Sequence, residues 1–228
     1  MTDAEATTPI TVITGFLGSG KTTLLSKLLR HPGMDKAAVI INEFGEVGLD
    51  HELVEKANEE PILMESGCLC CTLRTDLVET LHDLFGRRAR KEIPEFDRVV
   101  IETTGLADPA PIVHTLIADP LIGRCFHLDS VVATVDAAAG GQTLDAHEES
   151  VRQAAVADRL LITKTDIAPP EAISALDERL NAINPGADRF RTIQGEIEPA
   201  QLFGAGLYDP ETKTADVQRW LNEAAYED

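Results

Sequence analysis

Three of the chain's four cysteines, Cys68, Cys70 and Cys71, fall within GCLCCT, Gly67 to Thr72, and the fourth, Cys125, stands alone. Adjacent thiols such as Cys70 and Cys71 can pair only through a strained ring, so a structural disulfide explains the cluster poorly. Metal binding and redox activity fit it better. Thiolates near one another suit Zn²⁺, which takes sulfur ligands in tetrahedral geometry at about 2.3 Å, with Cu⁺ as a soft competitor. Packing alone is a weaker account, because structural cysteines are normally buried and inert. The spacing places the triplet in a turn after a strand, where Cys70 and Cys71 could face one ion. Thr72 would then open the helix carrying Leu73, Leu77 and Leu81, whose N-terminus favours thiolate.

A second group of residues points to phosphate. GFLGSGKT, Gly15 to Thr22, has the spacing G-x-x-x-x-G-K-[ST], and it follows the apolar run ITVIT and opens a helical pattern. Backbone NH groups around Gly15, Gly18, Ser19 and Gly20 would turn toward phosphate oxygens, and the helix N-terminus adds partial positive charge. Lys21 would reach the β and γ phosphates, and the Thr22 hydroxyl would hold Mg²⁺. RVVIETTG, Arg98 to Gly105, supplies the partner element. Glu102 would hold Mg²⁺ through water or polarise the attacking water, and the Gly105 NH would meet the γ phosphate. In ITKTD, Ile162 to Asp166, the Asp166 carboxylate can accept two hydrogen bonds from guanine, a pair that adenine cannot donate. The Lys164 stem would pack along the base. Thr163 stands where asparagine is commonest in the N-K-x-D pattern, which leaves guanine preferred.

These residues need a scaffold that gathers strand ends. Ile10–Thr14, Ala37–Asn42, Pro61–Glu65, Arg98–Thr104, Ser130–Asp136, Arg159–Asp166 and Asp188–Ile193 read as strands, most of them continuously apolar. Such strands are buried on both faces, as in a parallel sheet. Between them, Leu73, Leu77, Leu81, Leu84 and Phe85 form one helical stripe, and Ile173, Leu176, Leu180 and Ile183 another. The alternation predicts an α/β fold: a three-layer, doubly wound, mostly parallel sheet of about six to seven strands with helices on both faces. Ligands bind such sheets at the carboxyl ends of the strands, where all the unusual residues lie.

Composition narrows the function classes. A net charge of −19 without long like-charged runs argues against nucleic acid and anionic membrane as partners. The polar first residues and the lack of a long apolar stretch predict a cytoplasmic protein.

With GFLGSGKT, NEFGEVG (Asn42 to Gly48), GCLCCT, ETTGLADPAP (Glu102 to Pro111) and TKTD in view, the chain resembles the CobW-like family of P-loop GTPases, relatives of the GTPases that insert nickel into urease and hydrogenase. The resemblance implies a GTP-hydrolysing metallochaperone using GTP/GDP, Mg²⁺ and Zn²⁺, with cobalt or another transition metal in some branches. No glutamine closely follows Gly105 to position water, so intrinsic hydrolysis should be slow. It implies phosphate contacts from Gly18 to Thr23, with Thr23 among them. It also implies backbone contacts to guanine near Gln194 and Gly195, and a switch loop carrying Glu43 and Glu46. Cys68, Cys70 and Cys71 would hold the transferred metal. Glu43, Glu46, His114 or a partner protein would complete that site, and Glu43 is also a candidate near Mg²⁺. GTP would order the switch loop and hydrolysis would release it together with the metal, for a client metalloprotein. A nucleotide- or metal-dependent homodimer could supply transition-state charge.

The expected organisation is a disordered N-terminus over 1–8, a P-loop GTPase domain over 9–205, and a tail and helix over 206–228. That tail would lead toward a C-terminal domain absent from this chain. Two alternatives use the same motifs differently: a P-loop small-molecule kinase, and a non-catalytic zinc buffer or redox sensor.

Overall fold

The computed structural model describes residues 7–41, 62–63, 69–72 and 77–224. Within these, the strands are β1 (Thr8–Gly15), β2 (Ala37–Ile41), β3 (Ile62–Leu63), β4 (Leu69–Thr72), β5 (Arg98–Glu102), β6 (Phe126–Asp136), β7 (Arg159–Thr163) and β8 (Asp188–Arg191). The α-helices are α1 (Lys21–Leu28), α2 (Leu77–Ala89), α3 (Ala110–Ala118), α4 (Ile122–Cys125), α5 (Gly140–Ala146), α6 (Glu148–Val156), α7 (Pro170–Ile183) and α8 (Ala215–Ala224).

One eight-stranded sheet runs in the order β3-β4-β2-β5-β1-β6-β7-β8. Every neighbouring pair is parallel except β3 with β4. The chain moves from β1 outward past β5 to β2 and later, on the other side of β1, to β6. The order reverses at β1, so the loop after β1 opens at the switch point of the sheet, where doubly wound folds bind ligands.

Continuous apolar strands are explained by what covers them. Val12, Ile40, Ile101 and Val131 belong to one buried cluster, with Leu81 and Leu84 of α2 and Val113 and Leu116 of α3. Their chain neighbours Ile13, Val39, Val100 and Val132 belong to another, with Leu24, Leu25 and Leu28 of α1. Successive strand residues alternate faces, so a sheet covered on both sides needs an apolar residue at every position. Leu176 and Leu180 of α7 close a third cluster against Leu160 and Ile162.

Several sequence expectations shift. β6 begins at Phe126 rather than Ser130, because β1 pairs with it from Thr8↔Phe126 onward. Thr8 is buried within β1, and its hydroxyl accepts a hydrogen bond from Arg88 at 3.0 Å, so the expected disorder does not reach residue 8. Leu69–Thr72 is a strand, not a turn: β2 pairs with it on one side and β3 on the other. Thr72 closes that strand instead of opening a helix, and α2 is described from Leu77.

The expected boundary at residue 205 does not divide the core. Tyr208, Val217 and Leu221 are buried in the same cluster as Val12 and Ile101. The Tyr208 hydroxyl donates to the Val156 carbonyl at 3.1 Å, and Lys213 pairs with Asp158 at 2.5 Å. Burial, with the charge of Asp158 adding to it, pushes the Tyr208 phenol well above the usual tyrosine range. Among the described residues no helix is long and apolar enough to cross a membrane.

Candidate functional site

β1 ends at Gly15, and the loop to α1 passes through left-handed backbone at Gly15, Gly18 and Gly20 (φ 138°, 70° and 100°). Ser19 stiffens the loop, its NH donating to the Phe16 carbonyl at 3.1 Å and its hydroxyl lying 2.6 Å from that of Thr134 on β6. Lys21 is buried, and its ammonium donates to the carbonyls of Gly15 at 2.8 Å and Phe16 at 3.3 Å. Thr23 follows on α1 with its side chain exposed. The local order is the one the sequence predicted: strand, glycine loop, helix N-terminus and a lysine folded over the loop, a geometry suited to phosphate.

β5 brings the second element. Its register with β1, Ile13↔Glu102, sets the Glu102 carboxylate at the strand end beside the cradle, where it is 2% exposed. The Thr22 hydroxyl donates to Glu102 Oε1 at 3.3 Å. Two residues eighty positions apart thus present hard oxygen ligands side by side, the donor chemistry that suits Mg²⁺.

After Glu102, Gly105 is buried against the cradle. A Cβ on it would stand 2.8 Å from the Leu17 nitrogen and 2.9 Å from its Cα, so only glycine allows this approach of two backbones. Gln153 of α6 donates to the carbonyls of Gly105 at 3.3 Å and Ala107 at 3.0 Å. The adjacent Arg152 donates to Asp108 at 2.5 Å.

The third edge of the site comes from the loops after β7 and β8. Lys164 has left-handed backbone (φ 55°), and its ammonium lies 2.6 Å from Asp136 Oδ2. Asp166 is exposed in the turn that follows. Gln194 and Gly195 are also left-handed (φ 52° and 75°), and a Cβ on Gly195 would be 3.0 Å from the Leu24 nitrogen of α1. The two loops are tied together by the Thr165 hydroxyl on the Thr192 carbonyl at 3.3 Å. Thr163, the departure from the asparagine pattern, is buried with its hydroxyl donating to the Ser19 carbonyl at 2.6 Å. Asparagine's place is therefore occupied by a residue that binds the phosphate loop directly.

The structure thus gathers Gly15, Gly18, Ser19, Gly20, Lys21, Thr22, Thr23, Glu102, Gly105, Lys164, Asp166, Gln194 and Gly195 along one edge of the sheet. Sequence reasoning missed Thr134, Asp136, Arg152 and Gln153. Only Asp136 carried a signal, as a carboxylate closing an apolar strand in the same manner as Glu102. The other three, a threonine inside a strand and two polar residues of a helix, carry no such signal until the fold brings them to the loops.

The metal segment is described in part. Cys70 and Cys71 occupy consecutive positions of β4, in register with Val39 and Ile40 of β2. Thr72 is in register with Ile41, which is in register with Glu102. The carboxyl end of β4 thus lies two strand spacings, about 10 Å, from that of β5. Extended backbone replaces the turn expected at Cys70 and Cys71, because β4 is hydrogen-bonded on both sides. Cys68, Glu43 and Glu46 lie outside the described residues. His114 sits half-buried in α3. Among the described residues no group of three or more His, Cys, Asp or Glu side chains could hold a metal ion.

With the site in view, its likeness to known proteins is informative. The family model described as CobW/HypB/UreG, nucleotide-binding domain, matches residues 9–191. The zinc chaperone YjiA of Escherichia coli (strain K12) is 40% identical over 194 residues, covering 85% of this chain and 60% of that protein. Zinc-regulated GTPase metalloprotein activator 1 of Schizosaccharomyces pombe is 33% identical over 197 residues, covering 83% of this chain and 47% of that protein. The chain spans between about half and three-fifths of the length of these relatives. The crystal structure of Zn(II)-bound YjiA GTPase from E. coli aligns over 94% of this chain and 69% of that one, with a TM-score of 0.73 and 34% identity. HypB from Helicobacter pylori in complex with nickel shares the fold, covering 96% of this chain and 87% of that one, with a TM-score of 0.55 and 16% identity.

Proposed function

The chain belongs to the CobW/HypB/UreG nucleotide-binding family, and on that premise we propose that it is a GTP hydrolase that loads and delivers a transition metal, zinc first among the candidates. The observation that carries the nucleotide half is the meeting of Thr22 and Glu102 at 3.3 Å beside the loop over which Lys21 is folded. No part of that arrangement is required by packing alone, since it places a buried carboxylate and a buried ammonium at the same edge.

In this reading the cradle amides and Lys21 bind the β and γ phosphates, and Lys21 exchanges its carbonyl partners for phosphate oxygens. Thr22 and Glu102 hold Mg²⁺, which when bound neutralises charge on the phosphate oxygens during transfer. Glu102 also orients the attacking water, and the Gly105 amide donates to the γ phosphate. Lys164 lies along the base while Asp166 accepts from its two nitrogen donors. The backbone at Gln194 and Gly195, held against α1, closes the base site. With Glu102 the one side chain assigned to the water and no glutamine closely following Gly105, intrinsic hydrolysis is slow.

The metal half rests on the cysteine motif and on relatives named as zinc chaperones and a zinc-regulated GTPase. Cys68, Cys70 and Cys71 hold the ion as cargo, which requires β4 to open locally, since Cys70 and Cys71 as successive strand residues face opposite sides of the sheet, and Glu43, Glu46 or His114 completes the set. An incomplete cage suits an ion that must leave again. The cargo passes to a client metalloprotein in the cytoplasm, and pairing of two copies in the nucleotide-bound state supplies further charge to the transition state. Glu43 joins Thr22 and Glu102 near Mg²⁺.

The deciding experiment measures phosphate release from GTP, then titrates Zn²⁺ into the protein bound to GDP or to a non-hydrolysable GTP analogue. Hydrolysis abolished by Lys21→Ala, with zinc affinity differing between the two nucleotide states, is the expected result. Equal zinc affinity in both states would overturn coupled delivery, and undiminished hydrolysis in Lys21→Ala would overturn the GTPase reading.

A further inference from the structure

The segment after Glu102 is held from outside by two adjacent residues of α6. Gln153, 1% exposed, shares its amide NH₂ between the carbonyls of Gly105 at 3.3 Å and Ala107 at 3.0 Å. Arg152 donates to Asp108 Oδ2 at 2.5 Å and to Glu148 Oε1 at 2.9 and 3.2 Å. The other oxygen of Asp108 accepts from the Ala110 NH at 2.9 Å, at the start of α3. One carboxylate therefore joins the beginning of α3 to the middle of α6. The Arg152 guanidinium also lies 5.1 Å from the ring centroid of Trp220 on α8. α8 itself rests on both α3 and α6, with Val217 and Leu221 buried there and Trp220 packed against the cluster.

We infer that Gln153 and Arg152 are positioning residues that couple Gly105 to α8, so that the packing of Trp220 follows whether a γ phosphate is bound. The inference rests on the reading that the Gly105 amide meets that phosphate. Each member of the relay has two or more partners to choose between: Gln153 between two carbonyls, Asp108 between Ala110 and Arg152, Arg152 between two carboxylates and an aromatic face. A shift of Gly105 toward a phosphate redistributes these bonds. Close-packed interiors answer such a shift by a discrete rearrangement rather than a graded one. The helices that receive it are the two on which α8 lies. Coupling acts in both directions, so a change in the packing of Trp220 must alter the preference for GTP over GDP.

Trp220 is the chain's one tryptophan, so its emission reads this contact directly. The 228-residue protein with Mg²⁺ is titrated with GDP and with a non-hydrolysable GTP analogue, and binding is followed in parallel by calorimetry. Emission is expected to differ between the two bound states. In Arg152→Gln and Gln153→Leu both nucleotides should still bind while that difference is lost, and Arg152→Lys should restore part of it. A second reading that does not depend on those variants folding is the ratio of GTP-analogue to GDP affinity in Trp220→Leu, expected to shift about fivefold. Nucleotide binding with identical emission in both states, or an undiminished difference in Arg152→Gln, or an unchanged affinity ratio in Trp220→Leu, overturns the inference while leaving the GTPase reading intact. Failure of either nucleotide to bind overturns both.

Discussion

The Thr163 hydroxyl donates to the Ser19 carbonyl at 2.6 Å, joining the end of β7, which leads into the Lys164–Asp166 turn, to the glycine loop after β1. Both residues are buried, so the bond is made away from competing water. The turn proposed to take the base and the loop proposed to take phosphate are thereby held at a set distance from each other. Thr163→Val keeps the shape and removes the donor, leaving a buried carbonyl short of a partner. Urea denaturation should report a loss of about 1–3 kcal/mol. GDP affinity should fall with it, while Thr163→Ser should restore both; a Val variant as stable as the parent would show that the bond is incidental.

The base preference is proposed to rest on Asp166, and its test is a change of preference rather than a loss of binding. An aspartate accepts from both guanine N1–H and the exocyclic amine, whereas an asparagine amide offers one acceptor and one donor. In Asp166→Asn, GTP affinity should fall by roughly 10- to 150-fold, the scale of one hydrogen bond to a charged group. Xanthosine triphosphate, which carries a carbonyl in place of that amine, should lose much less. Competition of the two nucleotides against a fluorescent GDP analogue measures the ratio.

Gly105→Ala would drive a methyl group into the backbone of Leu17, 2.8 Å from its nitrogen. Backbone cannot rotate away as a side chain can, so one of the two loops must move. Overpacking of this kind costs about 1–3 kcal/mol. Thermal melting should fall accordingly, and phosphate release should fall more than nucleotide binding, because the displaced amide is the one assigned to the γ phosphate. Equal losses in both would remove Gly105 from the hydrolytic step.

The Tyr208 phenol is held neutral by burial and by the nearby charge of Asp158, which raises its pKa above the ordinary value. A raised value stabilises the fold fully below the unfolded pKa of about 10. That contribution declines as pH rises above about 10, because the unfolded chain then loses its proton more readily. Tyr208→Phe gives up the hydrogen bond to Val156, about 1 kcal/mol, and should be less stable than the parent at neutral pH. The gap between the two proteins should narrow from about pH 10 upward. Denaturation curves from pH 7 to 11 on both proteins check the sign, and a constant gap would mean that Tyr208 does not titrate across this transition.

What the sequence by itself determined is the chemistry that local order can encode. The cradle is a strand, a glycine loop and a helix start in one run of residues, so Gly15 to Thr22 predicts its own conformation. Glu102 and Asp166 were legible for the same reason, each following an apolar strand whose direction is given by the parallel pattern. The tertiary structure alone decided what depends on pairing between distant segments. LCCT reads as a turn until β2 and β3 supply hydrogen-bonding partners on either side, and the helix at 215–224 reads as a tail until Val217 and Leu221 find a core begun at β1. Gln153, Arg152 and Asp136 reach the site across 48, 44 and 28 residues of chain. Their side-chain types are common on any surface, and only the crossing of α6 over the segment after β5, and of β6 beside β7, gives them something to hold. Periodicity in one strand or helix carries no record of which other element will lie against it, because that choice is made by closing the sheet and covering both of its faces at once.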